Sequence, residues 1–496
     1  MNQTATRTAT PVRDPFTTKP ASDRRWLVMG FVAIAQLMVV LDATVVNIAL
    51  PSAQRDLGFA DGNRQWIVTA YALAFGSLLL LGGRLGDLFG RKRTFITGLI
   101  GFAAASVLGG AAGSFGMLVV ARALQGVFGA ILAPAALSTL VTTFTDPRER
   151  SRAFGIFGTV AVSGGAIGLI LGGLLTEYAS WRWCMYVNVV FAVVAVIGVA
   201  LYMPKAINTQ RPHLDLLGTL LASAGLFAVV FGFSRAESAG WAAASTLVSL
   251  ITGPLLLIGF IAWQRRATHP LLPLRIPADR TRGAAYLSVG LAMVAMFGLS
   301  LFLTYYLQQV KGFSPIQSGL AFLPMVAGII TMSNASSLFL LPKYGPRGII
   351  PLGMALGMIG MLGLARIEPS SSYAAIVLPS LILIGLAMGL IVAPAMNTAT
   401  IGVAPADAGV ASALVNTMQQ VGGSIGTSVL STLVATATAS YLSGHPADPI
   451  AAASHGYSIA FLAAALVFAI GAVAALGLLP SRHALRAEIV PLPSEG

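Results

Sequence analysis

Cysteine is nearly absent. Cys184 is the single one in 496 residues, so no disulfide can close within the chain and no cysteine metal cluster can be assembled. Histidine is scarce too. His213, His269, His445, His455 and His483 all fall in loops or tails, a distribution that offers no metal site. No Gly-x-x-x-x-Gly-Lys-Ser/Thr phosphate loop occurs, which excludes ATP hydrolysis by that route. No nucleophile–base pair suggests an enzyme, so neither a cofactor nor a catalytic residue is expected. Above all, the chain lacks charge. Only 9% of its residues are Asp, Glu, Lys or Arg, against about 25% in soluble domains.

What fills the chain instead is apolar: 56% of residues are hydrophobic, in runs long enough to cross a bilayer. We expect an all-α membrane protein of fourteen spans, near 27–49, 65–82, 94–113, 116–143, 152–176, 183–203, 215–234, 245–264, 284–307, 316–341, 348–366, 374–400, 409–438 and 456–479. Met1–Arg25 has no apolar core or cleavage pattern, so it is expected to be a tail and not a cleaved signal peptide. With both ends inside, six basic residues (Arg55, Arg64, Arg182, Arg235, Lys311, Arg366) fall in outer segments and Arg122 within a span. The other 23 of 30 lie inside. That asymmetry sets orientation and accounts for the net charge of +13 without nucleic acid.

An internal repeat points to two halves. GAILAPA (Gly129–Ala135) returns as GLIVAPA (Gly389–Ala395), SGGAIG (Ser163–Gly168) as VGGSIG (Val421–Gly426), and GRKR (Gly90–Arg93) as GPR (Gly345–Arg347), in the same order. The matched spans run in the same direction, so the repeat is parallel. It divides the chain into a tail at 1–25, a six-helix bundle at 26–203, two linking helices at 214–265, a second six-helix bundle at 281–480 and a tail at 481–496.

Asp42 is the acidic residue that falls well inside a span. A charge at mid-helix costs about 2.5–3.5 kcal/mol by insertion scales. A chain bears that for a structural ion pair or for a proton or substrate path. Arg122 lies five residues past Met117, and Asp42 eight before Leu50. At ~1.5 Å per residue both sit roughly 8–12 Å from the same face, so the two can meet. Gln125 lies a turn deeper on the same side of its span. An arginine does not give up its proton, so Arg122 would hold Asp42 ionised until substrate or water intervenes.

Other candidates are less specific. Gln125, Tyr305, Tyr306, Tyr71, Trp66, Asn397, Asn416 and Gln419 could line a substrate cavity; amides inside spans should face protein or water. The aromatic residues could equally be packing. Gly164, Gly168, Gly172 and Gly173 form a small-residue face for close helix packing. In GRLGDLFGRKRTF (Gly83–Phe95), Gly83 and Gly90 permit a tight turn. Arg91 and Lys92 hold the loop inside, and Asp87 can cap a helix amino end, that of the thirteenth span just after Val403–Ala408, or pair with Arg148 or Arg152.

That last pattern resembles the loop signature of the major facilitator superfamily nearly position for position, with Leu88 where a basic residue is usual. LDATVVNIALP (Leu41–Pro51), RALQG (Arg122–Gly126), GGLLTEYASWRWCMYVN (Gly172–Asn188), YYLQQVKGFSPIQSGLAFLP (Tyr305–Pro324) and GVASALVNTMQQVGGSIG (Gly409–Gly426) are similar to its fourteen-span drug:proton antiporters, the EmrB/QacA type. The resemblance implies two six-helix bundles with a two-helix linker, working by alternating access in the cell membrane. It implies efflux of a lipophilic, cationic or amphipathic drug, driven by the proton gradient and carried out by a monomer. It also implies the coupling role for Arg122 and a gating role for the loop at Gly83–Arg93. One departure stands out: Leu169 replaces the proline of the antiport signature in the fifth span. Two rival readings remain at this point: a proton-coupled nutrient importer on the same fold, and a non-transporting membrane scaffold or sensor.

Overall fold

A computed structural model describes residues 22–60, 63–144, 146–204, 215–268, 270–400, 403 and 408–480. Among them the backbone is helical and without strands. Helices satisfy their backbone polar groups internally, which a bilayer requires. The first half contains α1 (Ser22–Leu57), α2 (Gln65–Phe89), α3 (Arg91–Gly110), α4 (Phe115–Thr143), α5 (Pro147–Tyr178) and α6 (Trp183–Tyr202). Then come α7 (Leu216–Ala239) and α8 (Ala244–Gln264). The second half contains α9 (Arg280–Val310), α10 (Pro315–Tyr344), α11 (Pro346–Leu364), α12 (Tyr373–Thr400), α13 (Ala408–Gly444) and α14 (Pro449–Leu478). Among the described residues, 13 helices are long and apolar enough to cross a membrane, and α2 carries a shorter apolar run, Gln65–Leu79.

Polar residues set the helix starts. The side chains of Ser114, Asp215, Asp279 and Asp448 accept from backbone amides in the first turns of α4, α7, α9 and α14. Ser314 and Gln317 form a reciprocal capping box at α10. Between α2 and α3 the chain reverses at Gly90, whose φ of 86° is open to glycine and strained for other residues.

The repeat is visible in the packing. In the first half α1 packs on α5 and α6, α4 on α2 and α3, and α3 on α6. The second half has the same pairings, with α9 on α13 and α14, α12 on α10 and α11, and α11 on α14. Between the halves, α2 packs on α13 and α5 on α10. Helices α7 and α8 pack on each other, and α7 also leans on α2 and α13. The stretch 265–282 is no free connection: Leu271, Leu272 and Ile276 are buried against a cluster with Phe260, Tyr286 and Ile350.

At the end marked by Trp181 the halves are joined closely. Gln308 donates to the carbonyl of Ile48 at 3.0 Å. Glu177 accepts from the Ser314 hydroxyl at 2.6 Å and from the Ile316 amide at 3.1 Å, placing a carboxylate on the amino end of α10. Gly173 lies against Ile316, and the carbonyl of Leu169 against Gly319.

Candidate functional site: a buried charge network in the first half

Asp42 meets Arg122, as the depth argument allowed, at 2.5 Å between Oδ2 and the guanidinium. The two are 0% and 2% exposed. Apolar helix faces alone would not hold such a pair in hydrocarbon; each remaining lone pair and proton needs a partner. Arg122's own helix and three others supply them. Gln125, one turn along α4, donates to Asp42 Oδ1 at 2.8 Å and accepts from Arg122 at 2.8 Å. Asn188 on α6 donates to the same Oδ1 at 2.7 Å. Ser106 on α3 accepts from Gln125 at 2.8 Å and from Asn188 at 3.3 Å, while giving its own proton to the Phe102 carbonyl at 2.8 Å. The Arg122 Nε donates to the carbonyl of Ile67 at 3.2 Å, and its guanidinium carbon lies 4.5 Å from the centre of the Tyr71 ring, a cation–π contact. Asp42 thus accepts three hydrogen bonds, the one from Arg122 charge-assisted.

The position of this network differs from the cavity picture. The hydrogen-bond partners of Asp42 stand on α4 and α6 of the first half, with Ser106 of α3 behind them. An apolar recess formed by Val46, Ala49, Leu50, Leu118, Trp181 and Met185 adjoins it on the Trp181 side. Ile67 and Met185 belong to both, Met185 through a sulfur 3.9 Å from the Gln125 amide.

A family model described as Major Facilitator Superfamily matches residues 32–427. The chain belongs to the major facilitator superfamily. It is thus a multi-pass membrane transporter and not an enzyme. It is 50% identical over 465 residues to the puromycin resistance protein pur8 of Streptomyces alboniger, covering 92% of each chain. To the cephamycin export protein CmcT of Amycolatopsis lactamdurans it is 39% identical, covering 87% of this chain and 88% of that one. Among solved structures, a bacterial homolog to the human lysosomal transporter Spinster superposes with a TM-score of 0.67 at 16% identity, over 96% of this chain and 100% of that one. That last likeness concerns the fold alone.

The facilitator loop signature is held partly by Lys92. Its ammonium donates to the carbonyls of Ala200 and Met203, at 2.7 Å each, capping the carboxyl end of α6 where a cation is favoured. A methyl group added at Gly83 would sit 3.6 Å from Pro134 of α4, and Arg91 opens α3. The Asp87 side chain, the Arg148 side chain and residues 404–407 lie outside the described residues. Arg152, the other candidate partner of Asp87, lies over the Trp26 ring at 5.2 Å.

The glycine face of α5 packs on α1. A methyl group at Gly164 would meet Leu37 and Val40, at Gly168 Thr44 and the Leu41 carbonyl, and at Gly172 Val45. Leu37 to Val45 bracket Asp42, so this packing fixes the turn of α1 that presents the carboxylate.

The cavity candidates scatter. Tyr305 is buried beneath Arg64, whose guanidinium carbon is 4.0 Å from the ring centre. Tyr306 is buried and donates to the Glu368 carbonyl at 2.8 Å. Trp66 packs on Phe231 of α7, with ring centres 6.0 Å apart. Asn397 is exposed on α12; Asn416 and Gln419 are half-buried on α13. The residues that sequence reasoning missed are Asn188 and Ser106. Asn188 closes the quoted stretch Gly172–Asn188, and an asparagine in an apolar span was itself a signal. A lone serine in α3 carries no such signal.

Proposed function

We propose that this transporter exports a lipophilic compound of the antibiotic type across the cell membrane in exchange for protons. The observation that carries this reading is Asp42, a fully buried carboxylate bound by Arg122, Gln125 and Asn188. An ionisable group so placed is a proton site by default. The relatives named for puromycin resistance and cephamycin export support efflux as the direction of transport. In this reading the chain crosses the membrane fourteen times, as six, two and six spans, and works as a monomer. Both termini and the Arg91 end are cytoplasmic. The contacts at the Trp181 end then close the outer side, and the seam opens inward to load substrate. Asp87 braces the opposite state by docking on the amino end of α13. Asn397, Asn416 and Gln419 line the path between the halves.

Substrate charge follows from the same inventory. Asp279, Glu368 and Asp448 stand at helix ends, and the interiors of α9 to α14 contain no Asp or Glu among the described residues. A dication in the seam would keep one charge unpaired, and burying an unpaired charge costs several kcal/mol. Its export against one proton would also oppose an inside-negative potential, at about 2.3 kcal/mol per 100 mV. Monocationic, neutral or zwitterionic compounds are therefore the expected substrates; puromycin, with one ionisable amine, is the first to try.

The test is uptake by everted membrane vesicles under an imposed proton gradient. Puromycin or a monovalent dye should enter when protons leave, and a bivalent dye of similar size should enter less. Uptake indifferent to the gradient would refute coupling, and equal export of the bivalent dye would refute the charge rule. Import is the second reading, favoured by Leu169 in place of the antiport proline; proton-driven accumulation by intact cells would select it.

A further inference from the structure

Asn188 differs from every other member of the network in one respect: a single end of its amide is held. Its Nδ2 donates to Asp42 Oδ1 at 2.7 Å and lies 3.3 Å from Ser106 Oγ. Its Oδ1, buried with the rest of the side chain, accepts no hydrogen bond. Gln125 is the contrast. Arg122 holds its carbonyl, and Asp42 with Ser106 holds its NH2 group. Turning Gln125 over would set its carbonyl against the carboxylate and its NH2 against the guanidinium. Turning Asn188 over changes which atom faces Asp42 and breaks no bond at the far side.

Which atom should face Asp42 depends on its charge. A carboxylate only accepts, whereas a carboxylic acid has one O–H to donate. Ionised Asp42 therefore draws the Asn188 N–H toward it, as observed. When a hydronium ion gives its proton to Oδ1, an O–H bond forms, water departs and the new hydrogen points at another N–H. A half-turn about the Asn188 Cβ–Cγ bond replaces that clash with an O–H···O=C hydrogen bond. The Ser106 hydroxyl, on the same side, can donate to the turned carbonyl by rotating away from the Phe102 carbonyl that now takes its proton. The other groups near Asp42 cannot take this part. Arg122 has no acceptor, Tyr71 lies under the guanidinium, and Cys184 is engaged with Thr176 and the Gly172 carbonyl.

We infer that Asn188 is the positioning residue that follows the charge of Asp42: its amide donates to the carboxylate and turns over to accept from the acid. This deepens the proposed function and rests on its reading of Asp42 as the proton carrier. The switch gives α6 a different hydrogen bond to α1 in each protonation state. It thereby ties proton loading to the contact between two helices of the first half.

The experiment is pH-titrated infrared difference spectroscopy of the full-length protein in nanodiscs, protonated minus deprotonated. Asp42→Asn identifies the Asp42 acid C=O band by its loss. In Asn188→Leu that band should move to higher frequency, because the acid has lost its acceptor; Asn188→Ala reads the same shift if the leucine variant does not fold. In the unaltered chain, asparagine labelled with carbon-13 at the side-chain carbonyl should show a difference band on protonation that Asp42→Asn abolishes. An acid band at the same frequency with and without Asn188, or no labelled asparagine band, would overturn the switch while leaving Asp42 as proton carrier. Absence of any acid band that Asp42→Asn removes would instead overturn the reading of Asp42, and the switch with it.

Discussion

Neutralising Asp42 is the obvious test of proton coupling, but the structure says that the single variant will also lose stability. In Asp42→Asn, Arg122 stays 2% exposed with no counter-charge. Removing one partner of a buried pair costs about 3–5 kcal/mol, because it strands the other. The new amide also has one acceptor oxygen where three donors converged on two. If that oxygen stays with Gln125 and Asn188, its NH2 faces the guanidinium. Replacing Arg122 by Gln in the same chain removes the stranded charge and leaves a few hydrogen-bond changes of about 1 kcal/mol each. The double variant should therefore be more stable than Asp42→Asn alone, with a coupling energy of about 2–3 kcal/mol. Cys184 supplies the assay. It is the chain's one cysteine and 1% exposed, so a thiol-reactive fluorophore reports unfolding without an added label. The midpoints should fall in the order unaltered chain, double variant, Asp42→Asn. The folded double variant should carry no proton-coupled efflux in everted vesicles. Identical midpoints for Asp42→Asn and the unaltered chain would refute the buried pair, and coupled efflux by the double variant would refute Asp42 as the proton site.

Three further outcomes follow from other contacts. Glu177→Gln removes a carboxylate from the exposed amino end of α10, an interaction of up to about 1 kcal/mol. The closed state at the Trp181 end should lose roughly fivefold in population, seen as a longer spin-label distance between the Trp181 ends of α5 and α10. Gly168→Leu forces a side chain into Thr44 and the Leu41 carbonyl. It should cost about 1–3 kcal/mol of stability by overpacking and depress transport, measured by the same thiol-dye unfolding and by vesicle uptake. Asp215, at the membrane edge before α7, is pushed up by partial burial. Hydrogen bonds from Gln264, Trp263 and the Gly218 amide outweigh that and hold it below the usual carboxylate range. Its folded value is depressed, so its contribution is present above the unfolded value and lost as pH falls through the folded one. Hydrogen exchange at the start of α7 should rise only at acid pH in the unaltered chain, and at all pH values in Asp215→Asn.

Much of this molecule is legible in one dimension because a bilayer imposes one-dimensional rules. Scarce charge, apolar runs of spanning length and the lopsided basic residues mark a polytopic helical protein before any contact is known. The halves were equally plain, since three short motifs recur in order and the α1–α5 and α2–α4 pairings return as α9–α13 and α10–α12. Asp42 and Arg122 were found together because a charge in hydrocarbon needs a partner, and the spacing along two helices sets depth. Spacing does not set azimuth. Which way α1 is turned depends on Gly164, Gly168 and Gly172 letting α5 press against Leu37, Thr44 and Val45. That turn aims Asp42 at its partners within the first half. The same rotation brings Asn188, 146 positions away, and Ser106 to the carboxylate, and puts Tyr71 under Arg122. Sequence determined that a buried carboxylate exists and what kind of helix bears it. Only the packing of five helices decided who surrounds it, because hydrogen bonds between helices depend on rotation and register, and side-chain volume at the contacts sets both.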